Sequence, residues 1–124
     1  MNYRSPLHRA RGWGSSGHGS SHWKFQRLSA IALGPLGLWF VFAFAGQSPW
    51  EYQSIISWLS NPWVPQLLCL FLACGFFHAS LGLQVVIEDY VHDEFIRNAS
   101  LIVVKLTLLL LAVSSIISVL IAAL

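Results

Sequence analysis

The sequence predicts an all-α membrane protein with three transmembrane helices and a cytoplasmic N-terminus, and three observations predict it. The first is composition: of 124 residues, 56% are hydrophobic and only 10% charged, against about 25% charged in an ordinary soluble domain. Such a chain has too little polar surface to cover a globule. The second is patterning. The apolar residues fall into three long runs, at about residues 28–45, 64–87 and 101–124, the pattern of membrane spans and not of a soluble core. The third is the placement of charge. Arg4, Arg9, Arg11, Lys24 and Arg27 precede the first run, so five of the seven Lys and Arg lie on one side of it. Membrane lipid is therefore the expected environment, and no nucleic-acid partner is expected.

The elements follow in chain order. Residues 1–26 hold no acid and are rich in Gly, Ser, His and Arg, which reads as a flexible basic tail ahead of a membrane domain over 27–124. A transit peptide shares this composition, but Gly12, Gly14, Gly17 and Gly19 interrupt any continuous amphipathic helix. A signal peptide ending at Ala43-Phe44-Ala45 would need an unusually long charged leader, so cleavage there is not expected. The first span covers about 27 Å at about 1.5 Å per residue, just enough for the hydrocarbon core. Gly34, Pro35 and Gly37 interrupt it, and membrane helices tolerate these. Residues 46–63 carry Trp50, Tyr52, Trp58 and Trp63 and a single charge, Glu51, which suits an interfacial aromatic belt with room for a short helix near 50–60.

The second span ends in a dense polar stretch, Glu88-Asp89-Tyr90-Val91-His92-Asp93-Glu94, closed by Arg97. Cys69 and Cys74 lie inside this span at i and i+5, point in different directions and read as small buried hydrophobes with no disulfide. The third span carries Lys105 about one turn inside it, where the side chain can snorkel to the surface. A cytoplasmic tail, an outer 46–63 loop, an inner 88–100 loop and an outer C-terminus place all seven basic residues on one side.

His78 is the only ionisable residue deep in any span. It lies about 14 Å from the Ile87 end, near the midplane. A polar group at that depth is costly unless bonded, so a functional reading is the default. The alternative is a neutral histidine hydrogen-bonded to a neighbouring helix. Gly75, Ala79 and Gly82 form a low strip around the imidazole. Such a strip admits a second helix, and equally a flat macrocycle with His78 as axial haem-iron ligand. His8, His18 and His22 belong to the expected tail and His92 to the 88–100 loop, so a second axial histidine would have to come from a partner.

Asp89 and Tyr90 stand at the end of the same helix. A phenol there can donate a hydrogen bond to a ligand carbonyl, and Asp89 could orient it or a nearby arginine. The same residues also suit an ordinary interfacial helix end. Arg27, at the entry to the first span, reads as a topology-setting charge, as a partner for an anionic cofactor group, or as both.

The stretch Phe77-His78-Ala79-Ser80-Leu81-Gly82-Leu83-Gln84-Val85-Val86-Ile87-Glu88-Asp89-Tyr90-Val91 resembles a segment of the hydrophobic membrane anchor subunit of succinate dehydrogenase, of the type H-x3-G-x6-D-Y. Arg27-Leu28-Ser29-Ala30-Ile31 resembles that family's R-x-[ST]-A segment at the first helix. The resemblance implies an anchor of succinate:ubiquinone oxidoreductase, not an enzyme on its own. It would pack with a second three-helix anchor, the cytochrome b subunit, and hold an iron–sulfur subunit and a flavoprotein subunit on the membrane. It further implies that His78 is one axial ligand of a haem b shared with the partner. Tyr90 would hydrogen-bond a ubiquinone carbonyl with Asp89 in support, and Arg27 would approach the haem propionates or the quinone. The expected compartment is a bacterial inner membrane, ahead of the mitochondrial one. Two alternatives stand beside this: the anchor of a fumarate reductase, and a haem-free structural anchor.

Overall fold

The computed structural model describes residues 17–124, with side chains from Ser20 onward. The expected tail therefore lies mostly outside the described residues. What is described is all helix: α1 (Gly17–Ala45), α2 (Tyr52–Leu59), α3 (Trp63–Tyr90) and α4 (Glu94–Ala123). Helices α1, α3 and α4 are long and apolar enough to cross a membrane, and α2 is a short connector of eight residues. A lipid environment leaves only such hydrogen-bond-complete elements able to span it.

The boundaries follow from local chemistry. Residues 17–26, read as tail from their Gly and Ser content, are helical and continue the first span backwards. Sequence propensity disfavours a helix there. At the C-terminal end of this stretch Phe25 and Gln26 pack against Phe77 and Gly82 of α3. At the start of α3, Asn61 accepts from the backbone N–H of Trp63 through Oδ1 (3.2 Å) and of Val64 through its carbonyl (3.0 Å). Pro65 sits in the first turn, where its missing N–H costs nothing. Glu88, Asp89 and Tyr90, expected in a loop, complete α3, and Val91 turns extended and ends it. Asp93 then caps α4, its Oδ1 accepting from Ile96 N–H at 2.9 Å. The helix therefore opens at Glu94, ahead of the expected start, and Lys105 lies about three turns inside it.

Helix α3 is the centre of the arrangement. It packs on α1 along one face and on α4 along another, while α1 and α4 make no backbone approach to each other among the described residues. The α1–α3 register is antiparallel, as four contacts show. A Cβ at Gly82 would sit 3.6 Å from Gln26 Nε2, Ser29 meets His78, a Cβ at Gly75 would sit 3.9 Å from Leu33, and one at Gly37 3.9 Å from Phe71. At the far end of the pair, around the α1 C-terminus, Leu59, Val64 and Leu68 are buried beneath Trp39, Phe40, Ile55, Trp58 and Val119. Phe40 stacks on Phe71 with centroids 5.0 Å apart, and Trp39 on Trp58 at 6.5 Å. Of the expected aromatic belt, Trp50, Tyr52 and Trp63 are exposed, whereas Trp58 turns inward.

Candidate functional site

The site grows from the α1–α3 seam. On α1, His22, Gln26 and Ser29 recur at helical spacing and face α3 together. Ser29 is buried at 7% exposure, the sole buried polar residue among those described. Its hydroxyl donates to the Gln26 carbonyl at 2.9 Å, and its Oγ lies 2.9 Å from Nδ1 of His78. His78 is thus tied to a neighbouring helix through one ring nitrogen, as the structural alternative in the sequence requires. The second nitrogen is free. His78 Nε2 makes no hydrogen bond among the described residues, and it is not one of the enclosed unpartnered atoms.

The small residues beside His78 have a visible use. Gly75 and Gly82 give Leu33 and Gln26 room to lie against α3, so the strip serves helix–helix approach. Phe25 meets Phe77 edge-on at 6.2 Å next to the histidine. Above the Ser29–His78 contact, His22 Nε2 and Gln26 Oε1 are enclosed and lack hydrogen-bond partners among the described residues. His22, expected in the tail, therefore belongs to α1. It stands about 10 Å along the axis from Ser29, away from the depth of His78.

The other expected residues are placed apart from His78. Asp89 and Tyr90 are exposed, Tyr90 to 79%, at the end of α3 about 18 Å along the helix. Neither side chain makes a hydrogen bond among the described residues. Gln84 donates instead to Glu88 at 2.8 Å. Arg27 is exposed, with its guanidinium 4.5 Å from the centroid of the Trp23 ring. Two residues from Ser29, it projects about 200° around the helix, away from the α1–α3 seam. Among the described residues no three His, Cys, Asp or Glu side chains converge. A metal at His78 would thus draw its other ligands from beyond these side chains. Cys69 and Cys74 are free, as their spacing predicts.

Two participants were not singled out in the sequence. Ser29 sits inside the quoted Arg27–Ile31 segment, and its signal is a small hydroxyl residue at helical spacing from Gln26 within an apolar run. Gln26 carries the same signal one turn earlier.

A central helix with a mid-span histidine, flanked by two further long apolar helices, defines a membrane-spanning anchor. The chain belongs to the succinate dehydrogenase/fumarate reductase transmembrane subunit family, whose model matches residues 1–121. Among curated proteins it is 35% identical over 117 residues to the succinate dehydrogenase hydrophobic membrane anchor subunit of Rickettsia bellii, covering 94% of each chain. It is 32% identical over 92 residues to the succinate dehydrogenase membrane anchor subunit of Reclinomonas americana, covering 70% of this chain and 75% of that one. The Paracoccus denitrificans anchor subunit is 28% identical over 90 residues, 73% of this chain and 70% of that one. No solved structure matches.

Proposed function

We propose that the chain anchors a succinate:ubiquinone oxidoreductase in a bacterial inner membrane, with its N-terminus cytoplasmic, and contributes half of a haem site and part of a quinone site. The observation that carries this reading is His78: a mid-span imidazole held through Nδ1, with Nε2 left without a hydrogen-bond partner among the described residues. That is the form in which a histidine ligates iron. His78 would be one axial ligand of a haem b, and the cytochrome b subunit would supply the other. The haem, when bound, adds a one-electron redox centre within the membrane. Tyr90, exposed at the end of α3, donates its phenolic hydrogen bond to a ubiquinone carbonyl, and Asp89 orients it. The iron–sulfur and flavoprotein subunits dock at this end and deliver the electrons of succinate. Arg27, exposed over Trp23 at the same end of the α1–α3 pair, offers a positive charge to the haem propionates or to the quinone.

A second reading is a haem-free anchor in which His78 only ties α3 to α1, and the Ser29 contact favours it. One experiment separates the two. In the assembled complex, His78→Ala is expected to abolish the native haem optical and EPR spectra. Unchanged spectra would remove His78 as a ligand, and a wild-type complex without a pyridine haemochrome signal would establish the second reading. In the same preparation Tyr90→Phe is expected to lower ubiquinone reduction about tenfold, the value of roughly 1.4 kcal/mol for one hydrogen bond. Succinate oxidation by an artificial dye should stay intact, and normal quinone reduction would remove Tyr90 from the site.

A further inference from the structure

The Ser29 hydroxyl has one proton and two contacts, and their geometry fixes which nitrogen of His78 is free. Ser29 Oγ lies 2.9 Å from the Gln26 carbonyl oxygen and 2.9 Å from His78 Nδ1. A carbonyl oxygen can only accept, so the hydroxyl proton must point to it for that contact to be attractive. Ser29 is then the acceptor in the second contact, and the proton between Oγ and Nδ1 belongs to the imidazole. In the opposite arrangement, the hydroxyl would donate to Nδ1 and turn a lone pair toward the carbonyl oxygen at 2.9 Å. That loses one hydrogen bond and adds a repulsion in a water-poor seam, where an unmade bond is costly.

We infer that Ser29 is a positioning residue for His78: it holds the imidazole as the Nδ1–H tautomer, fixes the ring plane, and directs the Nε2 lone pair to the metal. This rests on the reading of His78 as a haem ligand. Metal-bound histidines characteristically donate the other ring N–H to an acceptor, which sets ring orientation and raises ligand basicity. Here the acceptor is a hydroxyl already polarised by a helix carbonyl, so the push on the imidazole is stronger than a lone serine would give. Burial keeps water from taking its place, since Ser29 is only 7% exposed. Phe25 and Phe77 close the seam on one side.

The test is a redox titration and low-temperature EPR of the haem in the purified complex, for Ser29→Ala, Ser29→Cys and Ser29→Thr. Loss of the acceptor makes the imidazole a poorer donor to ferric iron, so Ser29→Ala should shift the midpoint potential upward and move the EPR g-values as the ring rotates. Ser29→Cys keeps the packing but accepts weakly, and should shift in the same direction. Ser29→Thr retains the hydroxyl and should restore both readouts. Should Ser29→Ala fail to assemble, the contrast between Cys and Thr reads the same effect. Ser115, whose hydroxyl bonds only to the Leu111 carbonyl of its own helix at 2.7 Å, provides the control, and Ser115→Ala should leave potential and spectrum unchanged. If the haem is lost in His78→Ala while the Ser29 variants keep wild-type potential and g-values, the positioning role is overturned and the ligand reading survives. If His78→Ala keeps the native haem, the ligand reading itself has failed.

Discussion

The two faces of α3 are built on different principles. Toward α1 the helix presents Gly82, His78 and Gly75, and α1 answers with Gln26, Ser29 and Leu33. That seam carries a cross-helix hydrogen bond, two enclosed polar atoms and an edge-on aromatic pair. Toward α4 the contact is apolar. There Ala73, Phe76 and Phe77 line a groove of about 440 Å³ with Leu108, Ala112 and Ile116. Lys105 and Ser80 are its polar margin. Three of the five hydroxyls of α4 bond within their own helix, Thr107 to Val103, Ser115 to Leu111 and Ser118 to Ser114. Hydroxyls bonded back to their own helix add nothing between helices, whereas a hydroxyl that reaches across fixes one side chain in one orientation. The α1 face therefore specifies geometry, and the α4 face mainly supplies apolar area.

The largest effect should come from filling the α1 face. A bare Cβ at Gly82 would lie 3.6 Å from Gln26 Nε2, ordinary contact, so Gly82→Ala should be tolerated. Gly82→Leu has nowhere to go without driving α1 away, and overpacking of this kind costs about 1–3 kcal/mol. Thermal inactivation of the purified complex should show a clear fall in midpoint for Gly82→Leu. The matched change on the other face, Ala112→Leu, points into the α3–α4 groove and should cost less than about 0.5 kcal/mol, the usual range away from packed features. Equal losses would mean that the groove is filled in the assembled complex, and the contrast between the faces would collapse.

The same contrast explains what could be read from the sequence. Three apolar runs and a buried-depth histidine are properties of single segments, so the spans and His78 were legible. The Ser29–His78 contact depends on the register between two helices 49 residues apart in sequence, and no single-helix pattern contains that register. The strip around His78 was legible as small residues, but Gly75 and Gly82 could serve a helix or a macrocycle equally until α1 was placed. The N-terminal extent of α1 was hidden because Gly17, Gly19, Ser20 and Ser21 disfavour helix locally. The direction of Arg27 was likewise not legible from its residue type: a two-residue offset from Ser29 turns it away from the seam, toward Trp23.

An effect smaller than that of Gly82→Leu belongs to the joint between α3 and α4. Asp93 accepts from Ile96 N–H at 2.9 Å and places a carboxylate at the positive end of α4. Removing such a cap costs about 1 kcal/mol, and Asp93→Ala should lower thermal stability by that amount. Asp93→Asn keeps an acceptor oxygen and should recover most of it, since Asn caps about as well as Asp. Neither change touches α1, so neither should alter the haem spectrum or potential, even though Asp93 stands three residues beyond Tyr90. A spectral change in Asp93→Ala would show that the start of α4 is transmitted through α3 to His78. The two faces of the central helix would then be coupled, and the site could no longer be treated as the property of one seam.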